Sequence, residues 1–476
     1  MATPLKTNLL FIMADDHAGY VLGCDGNPAA RTPSLDRLAS RGVRLASHFC
    51  NSPVCSPSRQ SILTGRLPHA ASVTVNSSAL DDTAPTLARS LLAAGYETAA
   101  MGVMHFNRPG EPSLHGFETA ETEEIIRAEW SREPFAAVDP SIPVKPPWKP
   151  FRDPARIWLN ADGLPYPRHA GDMEDDFLVR RARRFIAEHA GTPFALWVSF
   201  HEPHSPYDFP IEDAGSFDPA SFDVPELGED DEAQVPLIFR DLTNDDKRGI
   251  AAAYYTSVAY LDRKIGELLS ALDHAGIADD TLVVYLPDHG YCLGHHGRFE
   301  KHCCFDPALR VPCILRWPKG LAPAVVSDLT ESIDIAPTIL DLLGAPPLPG
   351  AQGQSLVRGQ ALGSSRKHIF AEYTGNEEAC IRTARWKLIH GSGRRARADG
   401  YVTDNPTPGR SVRLFDLVND PGELIDVASA NQETVRELSD LLLTRMRATH
   451  PDACREPAGR EIPELIDWYL RPRDLA

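Results

Sequence analysis

The chain has 476 residues, 42% of them hydrophobic and 24% charged, a length that suggests one large domain with a smaller one attached. A formal net charge of −18 argues against nucleic acid as a partner, because phosphate backbones are held by basic surfaces. No apolar run approaches the roughly eighteen residues that would span a bilayer, so no membrane partner is expected.

In chain order, Asn8-Leu-Leu-Phe-Ile-Met-Ala-Asp15-Asp16 predicts a buried parallel strand over 9–13 that delivers two carboxylates at its C-terminal end. Adjacent carboxylates repel unless a cation holds them, and hard oxygen ligands suit Ca²⁺ or Mg²⁺. The strand starts within a few residues of Met1, leaving no room for the three regions of a signal peptide, so a cytoplasmic location is expected. Thr32-Pro-Ser-Leu-Asp36 opens a capped amphipathic helix with a stop at Gly42. Then comes Asn51-Ser-Pro-Val-Cys55-Ser-Pro-Ser-Arg59, ending at Gly65-Arg66. Ser56 suits an N-cap, Pro57 the first helical position and Gly65 the stop. Cys55 would then sit at a helix mouth whose free N–H donors and partial positive charge favour an anion. Arg59 would grip the same anion from a second side.

Past the polar loop at Asn76, a helix is predicted over 85–94 and a strand over 96–101, followed by Gly102-Val103-Met104-His105-Phe106 and Leu114-His115-Gly116-Phe117. Residues 130–170 hold Trp130, Trp148, Trp158 and Tyr166 without periodicity and read as a loop insertion; a helix over 172–190 follows. A second buried strand over 194–200 empties into His201-Glu-Pro-His204-Ser-Pro. After an amphipathic helix over 244–272, Thr281-Leu-Val-Val-Tyr-Leu-Pro-Asp288-His289 repeats the plan of the first strand. Strands ending on one sheet edge would gather Asp15, Asp16, Asp288 and His289 beside Cys55. His295, His296 and His302 look like a zinc cluster, yet the oxygen-rich partners favour a hard cation. The nine cysteines, irregularly spaced, suggest reduced thiols and not a disulfide framework. Past Pro346-Pro347, strands over 367–373, 379–390 and 411–417 and a helix over 432–448 read as a small antiparallel-sheet domain, giving a division into 1–365 and 366–476. The apolar tail over 462–470 should pack on something, a neighbouring subunit of a homo-oligomer included.

Cys55-Ser-Pro-Ser-Arg59 with Leu63-Thr-Gly-Arg66 resembles the signature of the type I sulfatases, and Asp15-Asp16, His105-Phe106, Pro203-His204 and Asp288-His289-Gly290 match further motifs of that family. The resemblance spans about residues 8–430 and is nearest the choline-sulfatase and iduronate-sulfatase branches. It implies an α/β fold, the alkaline-phosphatase-like sandwich of a large mainly parallel mixed sheet between helices, plus a small C-terminal α+β domain. It also implies that a formylglycine-generating enzyme converts Cys55 to formylglycine, and that Asp15, Asp16, Asp288, His289 and residue 55 hold Ca²⁺, with Mg²⁺ or Mn²⁺ as alternatives. The implied catalytic set is Cys55, Arg59, His105, His204 and Lys301, with Asn76 lining the pocket. The implied substrate is a small-molecule or carbohydrate sulfate ester. A phosphonate monoester or phosphodiester hydrolase, or a catalytically weakened metal-bound binding protein, stay as alternatives. Where the family reads Gly-Lys-Met-His-Phe, this chain has Val103. Loss of that cation should weaken anion binding by roughly 1.5–3 kcal/mol.

Overall fold

The first strand forms as Asn8–Met13 (β1) and lies inside an eight-stranded sheet. The other members are Val43–Phe49 (β2), Glu97–Gly102 (β3), Thr119–Thr122 (β4), Phe194–Ser199 (β5), Thr281–Tyr285 (β6), Ile314–Arg316 (β9) and Ala324–Glu331 (β10). Cys292–Leu293 (β7) and Phe299–Glu300 (β8) make a separate short hairpin. The order is β10-β2-β9-β6-β1-β5-β3-β4, parallel throughout except that β9 runs antiparallel to both neighbours. The computed structural model describes residues 7–106, 114–146, 158–229, 231–232, 235–394 and 409–472, so Trp148 and much of the expected loop insertion lie outside the described residues.

Burial on both faces explains the unbroken apolar run of β1. Leu9, Phe11 and Met13 pack with the helices Cys55–Thr64, Leu87–Ala93 and Ile335–Leu342; Leu10 and Ile12 pack with Pro33–Ser40, Glu174–His189 and Asn244–His274. Phe11 stacks on Trp197 of β5 at 3.8 Å between centroids. The Pro33–Ser40 helix is capped differently from expectation. The side chain of Thr32 accepts Gly23 N–H, and the first-turn N–H groups of Ser34 and Leu35 donate to Asp262, 2.9 and 2.8 Å away, from the long helix.

A four-stranded antiparallel sheet forms the smaller region: His368–Tyr373 (β13), Glu378–Thr383 (β14), Trp386–Gly391 (β15) and Ser411–Asp416 (β16), with Val357–Arg358 (β11) and Ala361–Leu362 (β12) as a hairpin before it. The single strand expected over 379–390 is two strands, because the chain reverses between Thr383 and Trp386 and Thr383 Oγ1 accepts the N–H of Trp386 at 2.8 Å. The apolar tail forms the helix Ile462–Tyr469, and its Leu465, Ile466 and Tyr469 pack on Leu442 and Met446 of the Gln432–Thr449 helix. Its apolar face is thus used within its own chain. No helix among the described residues is long and apolar enough to cross a membrane.

Candidate active site

Cys55 is the first residue of the Cys55–Thr64 helix, which corrects the expected cap: Val54, in extended conformation, precedes the helix, and Ser56 and Pro57 lie inside it. Gly65 ends the helix in the left-handed region, as its position suggested. The Ser56 N–H, a first-turn donor that the helix itself cannot satisfy, is accepted at 3.1 Å by the side chain of Asn76, and Ser56 Oγ donates to the Asn76 carbonyl. Asn76 therefore supports the start of this helix from outside.

The strand ends deliver the remaining groups. Because β1 lies between β5 and β6 in parallel register, Asp15-Asp16, His201 to His204 and Asp288-His289 emerge on one edge. Cys55 Sγ is 3.5 Å from Asp15 Oδ1, 3.3 Å from His289 Nε2 and 3.1 Å from Lys301 Nζ. Lys301 also donates to Asp16 Oδ1 at 2.7 Å. His204 Nε2 lies 3.8 Å from Asp16, with its Nδ1 against the Ser205 carbonyl at 2.8 Å. His201 sits beside it with ring centroids 4.9 Å apart.

Arg59 departs from expectation. Its Nε donates to Asp288 at 2.9 Å, one terminal nitrogen to Asp15 at 3.0 Å, and the other to Ser199 Oγ at 2.8 Å and to the Val103 carbonyl. The guanidinium is spent on protein acceptors and fixes two carboxylates and the end of β3. Ser199 went unnoticed in the sequence, although a hydroxyl at the end of an otherwise apolar buried strand is a signal of its kind.

The electrostatics follow from burial. Burial and the charge of Asp15 push Asp288 up to about 7, against Arg59. Asp16 is also raised to about 7 by burial, which outweighs Lys301. Burial acts on Asp15 in the same sense, but Lys301 and Arg59 overcome it and hold that carboxyl well below its ordinary value. Burial and Asp15 push the Cys55 thiol well up. His204 is lowered by burial and Lys301, and His105 is lowered to about 3 by burial and Arg59.

His105 comes from β3. Gly102, at φ 94°, is needed there because a Cβ would fall 2.0 Å from the Ser199 carbonyl. His105 and Asp16 themselves adopt left-handed backbone, at φ 51° and 68°, the kind of strain that gathers at functional sites. Val103 is buried, and beyond it Glu123, also missed in the sequence, sits beside His105 at the end of β4. The three histidines that looked like a zinc cluster go separate ways: His296 to Asp231, His302 to Glu300, and His295 against the Tyr20 ring.

Ligand atoms of Asp15, Cys55, Asp288 and His289 lie within 4.8 Å of one another, as do those of Asp15, Asp16 and His204. Three buried carboxylates against two cations leave a negative surplus, and an oxygen-rich set of this kind fits a hard divalent ion. The sulfatase family model matches residues 7–345. The chain belongs to the sulfatase family. A second model, N-sulphoglucosamine sulphohydrolase, C-terminal, matches residues 294–450. The choline-sulfatase of Rhizobium meliloti is 29% identical over 94% of this chain and 87% of its own length, and the human iduronate 2-sulfatase 30% over 74% and 66%. The phosphonate monoester hydrolase of Agrobacterium radiobacter superposes with a TM-score of 0.78 at 26% identity, covering 94% of this chain and 96% of that one. The sheet and its helices are thus the alkaline-phosphatase-like fold of type I sulfatases, and this sulfatase is a sulfuric ester hydrolase.

Proposed function

We propose that this sulfatase hydrolyses a small-molecule or carbohydrate sulfate ester with residue 55, converted to formylglycine by a formylglycine-generating enzyme, as nucleophile. The observation that carries this reading is Cys55 at a helix mouth, its Sγ within 3.1–3.5 Å of Lys301, His289 and Asp15. The names of its choline and iduronate relatives support the substrate class. Nine free cysteines suit a reducing compartment, in keeping with a cytoplasmic location.

Asp15, Asp16, Asp288, His289 and residue 55 would hold a divalent cation, Ca²⁺ in this reading, and the cation would supply Lewis-acid polarisation of the sulfate. Formylglycine supplies a hydrated aldehyde, with one hydroxyl to attack sulfur and a second whose deprotonation expels sulfate. The chain's own groups do the rest. Lys301, 2.7 Å from Asp16, brings positive charge to the sulfate oxygens. His204 gives a proton to the leaving oxygen as its S–O bond breaks. His105 would take the proton of the second hydroxyl. Arg59 keeps Asp15 and Asp288 in place. Asn76 steadies the helix that carries residue 55.

A phosphonate monoester hydrolase is the second reading, supported by Val103 in place of a lysine and by the likeness to the Agrobacterium enzyme. Mass spectrometry of the tryptic peptide containing residue 55 tests the first: conversion lowers its mass by about 18 Da relative to the thiol. An unmodified thiol in active protein would overturn the formylglycine mechanism. Turnover of phenylphosphonate monoester beside 4-nitrophenyl sulfate separates the two substrates. Cys55→Ala should lower kcat by roughly 10⁴-fold or more and leave the thermal midpoint unchanged.

A further inference from the structure

We infer that Glu123 is a positioning residue for His105, turning Nε2–H toward its carboxylate so that Nδ1 is the atom that accepts the proton from residue 55. The inference rests on the formylglycine reading above for the identity of that proton. It begins with strand register. In the parallel pair β3 and β4, Gly102 lies opposite Thr122, so the residues that leave the two strands together are Val103-Met104-His105 and Glu123. Glu123 opens the Glu123–Trp130 helix, and its Oε2 accepts the Met104 N–H at 3.1 Å. That bond pins the carboxylate next to His105, with Oε1 4.0 Å from His105 Nε2. Catalytic contacts of this length commonly tighten only when substrate is bound.

The other ring nitrogen is left open. His105 Nδ1 is buried and has no hydrogen-bond partner among the described residues, while the His105 carbonyl accepts from Gln60 Nε2 at 3.1 Å and holds the backbone. A neutral imidazole carries one N–H, and a carboxylate can only accept. The tautomer with its proton on Nε2 satisfies Glu123 and leaves Nδ1 as a base; the opposite tautomer sets two acceptors face to face. The charged and titratable groups around the ring are Arg59 from the Cys55–Thr64 helix, Asp15 after β1, Lys301 after β8, His201 and His204 after β5 and Glu123 after β4. Arg59 and Lys301 oppose a positive imidazole, and burial does so more strongly. When His105 takes the hydroxyl proton, Asp15 favours the imidazolium that forms, and Glu123, whose own carboxyl burial raises, stands on its Nε2 side. Val103, beside them, brings no ammonium to compete for the carboxylate.

Two measurements decide the matter. In protein labelled with ¹⁵N in the imidazoles, with His105 assigned by difference against His105→Gln, the ring shifts at neutral pH should report a proton on Nε2 in wild type and loss of that preference in Glu123→Met. An unchanged tautomer overturns the inference, whatever ester the protein turns over. On 4-nitrophenyl sulfate, Glu123→Gln should lower kcat about tenfold with KM changed by less than about twofold. The acidic limb of kcat should move to lower pH, since losing a neighbouring carboxylate lowers the pKa of the base. Glu123→Asp should restore part of the rate. A wild-type kcat and limb in Glu123→Gln would overturn the inference, and so would a loss of kcat that tracks a lower thermal midpoint with the limb unmoved. Unmodified Cys55 in active protein would remove the formylglycine reading instead, and the tautomer would still decide whether Glu123 orients the ring.

Discussion

Two buried ion clusters in this sulfatase differ in their charge balance. At the base of the small sheet, Lys387 lies 2.7 Å from Asp306 and 2.6 Å from Glu423, while Arg382 donates to Asp306 at 3.0 Å. Two cations meet two carboxylates. Burial pushes the Asp306 carboxyl up, but Lys387 and Arg382 overcome it and hold the group well below its ordinary value. In the active site, Arg59 and Lys301 face three carboxylates, and Asp16 and Asp288 rise to about 7. A balanced cluster joins two parts of a fold. A cluster with surplus negative charge is a poor structural element and a good receptor for a divalent cation, which is the physical sense in which it reads as a site.

The sharpest break in this comparison is Asp288→Asn. Taking one carboxylate from the surplus should remove the divalent cation proposed for this site and lower kcat by roughly a thousandfold, on the scale of several kcal/mol of Lewis-acid stabilisation. Elemental analysis beside steady-state rates checks it, and unchanged metal content would mean that the ligand set is wrong. Lys387→Met in the balanced cluster should instead cost about 3–5 kcal/mol of stability, because two carboxylates lose their shared cation. Activity per folded molecule should persist, as chemical denaturation paired with turnover would reveal.

The two clusters should also part in their response to pH. An acid raised from 3.8 to about 7 stabilises the fold fully below 3.8 and loses that contribution as pH rises through about 7. Asp306, depressed, contributes fully above its ordinary value of 3.8 and changes nothing between pH 5 and 8. In metal-free protein the thermal midpoint of Asp288→Asn relative to wild type should therefore rise from pH 5 to pH 8, and that of Asp306→Asn should not. Equal slopes would remove the contrast.

The smallest effect is expected on the other wall of the pocket. Val103→Lys places an ammonium at a site only 5% exposed, whose N–H and carbonyl already bind Ser199 and Arg59. It should cost about 1–3 kcal/mol of stability without raising kcat/KM on 4-nitrophenyl sulfate. A large gain on sulfate alone would show that the wild-type pocket merely lacks a cation.

Much of the fold was legible because its signals are local. An apolar run such as 9–13 can satisfy its side chains only as a strand covered on both faces, and two acids directly after it must leave at the strand's end. Gly65 stops its helix through its own backbone freedom. The hairpin inside 379–390 was obscured because the reversal between its two strands contains neither Gly nor Pro. The allocation of Arg59 could not be read from the chain either. Its acceptors lie between 44 and 229 residues away and come together only through the order β6-β1-β5-β3. Glu123 belongs to the same class: a glutamate in an acidic stretch looks like a solvated helix start until the register of β3 and β4 sets it beside His105. The residue types with chemistry to offer were decided by the local pattern. Which of them face the substrate, which serve only to hold another in place, and which carboxylates remain unbalanced were decided by strand order, because charge and hydrogen bonding act over a few ångströms of space and take no account of distance along the chain.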